Sequence, residues 1–320
     1  MRILAIGGTG FIGRVVVAQL RASGHRVATL SRRGDIQGDR RSLAQHAGAI
    51  RDFAPDVVID MILSSGTQAR DLMDVVHRVA TRVVAISSID VYRACSVLHR
   101  LEEGALEPVP LREDSPLRRN LQTYPPQQIE MLKSVFEWLD DEYDKIAVER
   151  HVLGDSHTSG TVLRLPMVYG PGDRLHRLRV LVAHMDRTTD DFVMAKSIAQ
   201  WRGPRGYVDN VAHAVAAAAT NEASAGRIYN VAEPQNFSER EWAERVARAI
   251  GWSGRVRAVS DADAPPNPLL AGNLAQHWTA DTSRIRTELG YAEVVGVDEA
   301  VWRTVAWERE QIARTVEPSA

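Results

Sequence analysis

The 320-residue sequence predicts an α/β fold, a doubly wound parallel sheet with a smaller C-terminal lobe. Two observations predict it. Strand-like and helix-like patterns alternate through the first half of the chain, and a glycine-rich turn joins the first strand to the first helix. The first strand is the short apolar run Arg2-Ile3-Leu4-Ala5-Ile6, and Gly7-Gly8-Thr9-Gly10-Phe11-Ile12-Gly13 follows at once. Gly7 permits the tight turn, Gly10 lets the backbone approach a pyrophosphate, and Gly13 lets the next helix lie close to the sheet. That helix is expected over 11–23, with Val15, Val16, Val17, Ala18 and Leu20 facing inward, and Gly24 stops it before a strand at 26–30.

Further along, the pattern predicts a helix at about 41–53, a strand at 57–62, a helix at about 67–80 and a strand at 82–87. The stretch Arg93 to Gln128, with prolines at 108, 110, 116, 125 and 126, reads as an irregular insertion or substrate-side lid. Helices at about 129–139 and 141–153 precede a strand at Thr161 to Leu165 and the turn Pro166-Met167-Val168-Tyr169-Gly170-Pro171-Gly172. Beyond it the pattern is mixed, with helices at about 174–187, 208–220, 238–251 and 297–314 and short strands such as Arg227 to Val231. The expected division is a Rossmann-like, NAD(P)-binding domain over 1–165, containing the insertion 93–128, and an interleaved mixed α/β substrate lobe over 166–320.

Bulk properties narrow the partners. The formal net charge is −2 with both signs well mixed, which offers no basic surface to nucleic acid or anionic lipid. A single cysteine, Cys95, allows no internal disulfide and argues against a thiolate metal site, and the histidines lack paired ligand spacing, so no metal is expected. The first strand begins at residue 2 and no apolar stretch approaches ~20 residues, so the reading is a soluble, cytoplasmic protein.

The end of the second strand reads the adenosine ribose in a fold of this kind: an acid binds a free 2′-hydroxyl, a basic residue a 2′-phosphate. Here it holds Ser31-Arg32-Arg33, so NADP is favoured over NAD. The plain alternative is that both arginines are solvated surface charge. Asp39, beyond a short loop, is the rival residue for the adenine side.

These residues, together with Ser87-Ser88-Ile89-Asp90-Val91-Tyr92, Lys145-Ile146-Ala147-Val148-Glu149-Arg150, Arg164 to Gly172, Tyr207-Val208-Asp209-Asn210-Val211-Ala212 and the ending from Asp281 to Tyr291, make the chain resemble the extended short-chain dehydrogenase/reductase superfamily. That group includes sugar-nucleotide epimerases and dehydratases. The resemblance implies a catalytic serine at Ser88 and a catalytic lysine at Lys145, which would also hold the nicotinamide ribose. It places Thr9, Gly10, Phe11 and Ile12 on the pyrophosphate, Met61 and Ile62 at the cofactor's edge, and Pro166, Met167 and Val168 at the nicotinamide. Tyr169, Arg174 and Arg205 are expected near substrate, and a homodimer through the helices near 67–80 and 141–153 is implied.

The family's catalytic tyrosine, four residues before the lysine, falls on Asp141, so the chain looks like an atypical member. Tyr143 stands two residues before Lys145, and at about 100° per residue a regular helix would turn it some 200° away. Three explanations stay open. Asp140 or Asp141 caps the helix and the acid role falls elsewhere; Tyr143, after an irregular helix start, or Tyr124, from the insertion, reaches the site; or Asp141 is itself a protonated acid. The overall reading is an NADP-dependent reductase, epimerase or dehydratase acting on a carbonyl or hydroxyl of a small molecule, nucleotide sugars included, with an altered catalytic centre. The alternative is an NADP-binding sensor or scaffold without redox turnover.

Overall fold

The computed structural model of the chain describes residues 1–120, 123–139 and 142–316. In chain order its elements are β1 (Arg2–Ile6), α1 (Gly13–Ala22), β2 (Arg26–Ser31), β3 (Ile36–Gln37), α2 (Ala47–Phe53), β4 (Val57–Asp60), α3 (Gly66–Val76), β5 (Arg82–Ser88), α4 (Arg93–Leu98), α5 (Pro126–Val135) and α6 (Lys145–Leu153). There follow β6 (Ser159–Leu165), β7 (Met167–Tyr169), α7 (Arg179–Arg187), β8 (Phe192–Ala195), α8 (Lys196–Gln200), β9 (Arg205–Tyr207), α9 (Val208–Thr220), β10 (Ile228–Asn230), α10 (Glu239–Ile250), β11 (Val256–Val259), α11 (Ser283–Leu289) and α12 (Val297–Val316).

Seven strands form one parallel sheet in the order β3-β2-β1-β4-β5-β6-β10. Both faces are covered, which is why its strands read as continuous apolar runs. Alternate residues of one strand serve opposite cores. Ile3 and Ala5 pack with Val16, Leu20, Val211 and Val215 on one side, while Leu4 and Ile6 pack with Ile50, Leu72, Val148 and Val152 on the other. The chain winds outward from β1 in one direction and from β4 in the other, so the strand order reverses between them. A crevice at the carboxyl ends of β1 and β4 is the place where such sheets take ligands. Two small parallel pairs, β7 with β9 and β8 with β11, build the lobe beside it.

Several boundaries differ from the sequence reading. The helix expected over 41–53 is split: residues Arg40–His46 form 3-10 turns kinked at Ser42, and the α-helix starts at Ala47. The stretch 93–128 is not irregular throughout, since α4 opens it and α5 begins within it at Pro126. Proline at the first helical position, where no N–H is needed, starts α5 nearer the insertion than periodicity suggests. The helix expected from 174 starts at Arg179. Among the described residues no helix is long and apolar enough to cross a membrane.

Candidate active site

The turn after β1 is built for a close approach. Gly7 has φ of +75° and its N–H donates to Leu30 O, tying the turn to β2. A methyl group at Gly13 would stand 2.3 Å from Gly7 O, so α1 can start there only without a side chain. Thr9 and Gly10 are exposed. Among the described residues no acceptor faces the backbone N–H groups of Thr9, Phe11 and Ile12, and these lie at the positive end of α1, an arrangement that suits an anion. Thr9 Oγ1 donates to Ser31 Oγ at 3.0 Å, joining this turn to the end of β2. Arg32 and Arg33 follow, both exposed, with Arg33 N donating to Ser31 Oγ at 3.3 Å. Asp39, the rival residue, is engaged as the cap of the 3-10 turns, its Oδ1 accepting from Arg41 N at 2.8 Å.

Met61 is buried and Ile62 half-buried at the end of β4, with the Ile62 side chain against Gly7. The floor below them holds a buried ion pair, Arg40 Nε to Asp60 Oδ2 at 2.9 Å. Burial pushes the Asp60 carboxyl upward, against the pull of Arg40. Pro166, Met167 and Val168 leave β6 for the lobe, and Val168 O accepts from Arg177 at 2.8 Å.

Ser88 ends β5 half-buried, with its hydroxyl accepting from Asp90 N at 3.2 Å. Two residues on, the buried Asp90 gathers the catalytic candidates. Its Oδ2 accepts from Tyr143 at 2.7 Å and from Tyr124 at 2.9 Å, and the two rings stack with centroids 6.4 Å apart. Burial, then the Asp90 charge, pushes both phenols well above their ordinary range. Among the described residues no donor reaches Asp90 Oδ1.

Tyr143 is not turned away from Lys145, as a regular helix would have it. Helix α6 begins only at Lys145, with Asp144 as its cap accepting from Ile146 N at 3.0 Å, so Tyr143 lies before the helix and not on it. Asp140 and Asp141 lie outside the described residues. Lys145 is 3% exposed, and its ammonium donates to Leu63 O and to Ile86 O, the latter at 2.9 Å. It also faces the Tyr143 ring at 5.9 Å and the Trp138 ring at 5.7 Å. Burial lowers its pKa to about 8 against the opposing pull of Asp90, Asp60 and Glu149.

A second buried network fixes this corner. Ser87 Oγ donates to Glu149 Oε1 at 2.6 Å, and Glu149 takes both arms of Arg164 at 2.9 and 2.7 Å. Arg164 also donates to Tyr92 Oη at 2.8 Å, which in turn donates to Asn230 Oδ1 at 2.7 Å. These bonds tie β5, β6, β10 and α6 together immediately behind Ser88. The sequence reading missed Asp90 and Glu149. The acidic residue directly after Ser88-Ile89 was the available signal for the first, and its tertiary partners could not be read.

Of the residues expected near substrate, only Arg174 is exposed. Tyr169 is fully buried, its ring against Tyr207 and Trp242 and its hydroxyl 3.4 Å from Glu233 Oε1. Arg205 makes two bonds to Glu239 at 2.6 and 2.7 Å and lies over Trp242. Tyr169 thus packs inside the lobe and not on its surface, while the half-buried Arg205 is held by Glu239 and Trp242.

Comparison with known proteins decides the family. The family model described as "NAD dependent epimerase/dehydratase family" matches residues 3–232. The chain belongs to this family. An uncharacterised protein of Escherichia coli K12, YbjS, is 24% identical over 182 residues, covering 48% of this chain and 51% of that protein; the chain thus spans about half the length of the curated relative it matches. UDP-glucose 4-epimerase from Thermotoga maritima, solved with UDP-glucose, superposes with a TM-score of 0.70 at 15% identity, covering 98% of this chain and 100% of the other. dTDP-glucose 4,6-dehydratase from Bacillus anthracis, solved with NAD, gives 0.69 at 14% identity and 98% coverage of both chains. At these identities the epimerase/dehydratase likeness shows a shared fold.

Proposed function

We propose that the chain is an NADP-dependent enzyme that works on a hydroxyl-bearing or carbonyl carbon of a nucleotide sugar or a related small polar molecule. The observation that carries this reading is the glycine turn, with the open amides of Thr9, Phe11 and Ile12, set beside a strand whose last residue is Ser31, followed by Arg32 and Arg33. A side chain at Gly13 would collapse the turn, so the residues present fit a dinucleotide. In this reading the amides hold the pyrophosphate, and Arg32 and Arg33 take the 2′-phosphate. Met61, Ile62 and Pro166 to Val168 border the remaining length.

A nicotinamide supplies a carbon that accepts or donates hydride when bound. The chain supplies the proton traffic. Ser88 holds the substrate oxygen. With their pKa values raised, Tyr124 and Tyr143 stay neutral and serve as donors, while Asp90 is the accepting group. A proton leaving a substrate hydroxyl passes to Tyr143 Oη as the phenol's own proton passes to Asp90 Oδ2; in the other direction the same two transfers run backward. Lys145, anchored on Leu63 O and Ile86 O, keeps positive charge beside Asp90.

The alternative, an NADP-binding sensor without turnover, is favoured by one observation: the Lys145 ammonium is already committed to two main-chain carbonyls. Incubation with NADP or NADPH and a panel of UDP- and dTDP-hexoses and small ketones separates the two. The enzyme gives a change in the reduced-nicotinamide absorbance or an altered sugar by mass spectrometry. Intact cofactor binding with silence across the panel overturns the enzymatic reading.

A further inference from the structure

Directly after α5 runs a short segment, Phe136 to Leu139, whose contacts span the ligand crevice. Glu137 Oε2 pairs with Arg32 Nη1 at 2.8 Å, and Glu137 O accepts from Arg41. One residue on, the Trp138 ring stands 5.7 Å from the Lys145 ammonium. One residue before the segment, Val135 O accepts from Arg174 of the lobe at 3.0 Å. The segment and the residue before it therefore touch the residue expected to read the adenosine phosphate, Lys145, and the lobe. The segment's far end is fixed by the buried Leu139, but helix α5, which leads into it, has no buried side chain, and elements with few buried contacts open at low cost.

We propose that Glu137 is a cofactor-specificity residue: its carboxylate occupies the place of a 2′-phosphate on Arg32 and is displaced when NADP binds. The inference rests on the proposed function, which puts a 2′-phosphate at Arg32 and Arg33. A carboxylate and a phosphate compete for the same guanidinium face, because both present paired oxygens at matching spacing. The phosphate carries the larger charge and also meets Arg33, whose side chain has no acidic partner among the described residues. A 2′-hydroxyl carries no charge with which to replace Glu137, so NAD binds with that carboxylate still in place or with Arg32 left unpaired. The ion pair is open to water, with side chains 72% and 61% exposed. Its own strength is therefore modest, and the gain on removing it is correspondingly small.

The test is calorimetric titration at low ionic strength of the full chain and its Glu137→Gln variant, with NADP, NAD, adenosine 2′,5′-bisphosphate and adenosine 5′-monophosphate. The variant keeps the main-chain bond to Arg41. The expected result is about two- to fivefold tighter binding of the two 2′-phosphorylated ligands, with NAD and the monophosphate unchanged, and a difference that fades as salt is added. NADP affinity indifferent to Glu137→Gln, or an equal gain for NAD, overturns the competitor and leaves the cofactor reading standing. Failure of the unaltered chain to bind any of the four overturns both.

Discussion

Tyr143 donates its hydroxyl to Asp90 Oδ2 at 2.7 Å, although it stands two residues before Lys145 and a regular helix would carry it to the opposite side. The start of α6 at Lys145 frees it, and Tyr124 from the insertion meets the same oxygen. Burial first and the Asp90 charge second hold both phenols above the ordinary tyrosine range. Ultraviolet titration is expected to lose one late-ionising phenol in Tyr143→Phe and one in Tyr124→Phe. In Asp90→Asn both phenols should ionise at lower pH. Phenols that ionise near the ordinary value of about 10 in the unaltered chain would contradict the arrangement.

Lys145 carries the opposite shift, its pKa lowered to about 8 from 10.5, with burial as the main cause. Below pH 8 the ammonium is charged in the folded and unfolded chains alike, and the cost of burying it stands in full. Between pH 8 and 10.5 the unfolded chain holds more protons, so stability from this group rises with pH. Urea unfolding of the unaltered chain against Lys145→Met should show the former gaining by up to about 3 kcal/mol across that window. A flat difference would mean that the lysine titrates normally. With three lysines in the chain, Lys133, Lys145 and Lys196, the shift is also directly readable by NMR of the ε-carbons.

Gly13 and Gly48 make a paired test of backbone crowding. An added Cβ at Gly13 meets Gly7 O at 2.3 Å and Gly8 Cα at 2.8 Å, whereas at Gly48, within α2, nothing lies within 4 Å. Gly13→Ala should lower stability by about 1–3 kcal/mol and weaken nucleotide binding. Gly48→Ala should raise stability by up to about 1 kcal/mol without touching binding. Thermal denaturation of the two variants checks both signs.

The Glu149–Arg164 pair is buried and bidentate. Glu149→Gln leaves Arg164 charged and Ser87 with a weaker acceptor, at an expected cost of about 3–5 kcal/mol. The double variant Glu149→Leu, Arg164→Met should recover part of that loss, because two apolar side chains leave no uncompensated charge. Additive losses would contradict this.

What was legible in the sequence follows range. The strand–turn–helix at Arg2 to Ala22 is fixed by neighbours in the chain, and its glycines carry their own steric reasons. The parallel sheet followed from alternation of local patterns. The position of Tyr143 was not legible, because it depends on where α6 begins, and that is set by Asp144 accepting from Ile146 N rather than by periodicity. Tyr169 and Arg205 were expected at the substrate because they end motifs. Their partners, Glu233 and Glu239, lie 64 and 34 residues away and carry no local signal. Asp90 stood in view within the motif after Ser88, but its role did not, since that comes from Tyr124 and Tyr143, 34 and 53 residues further on.

We propose that the turn from Gly7 to Gly13, with Arg32 and Arg33 beside it, holds a 2′-phosphorylated nicotinamide dinucleotide. Calorimetric titration of the unaltered chain and of an Arg32→Ala, Arg33→Ala variant with NADP and NAD tests it most directly. The expected result is one NADP per chain, bound at least about tenfold tighter than NAD, with the preference lost in the variant because each charge-assisted bond contributes about 1.5–3 kcal/mol. No uptake of either nucleotide, or an NADP preference untouched by removing both arginines, would contradict it.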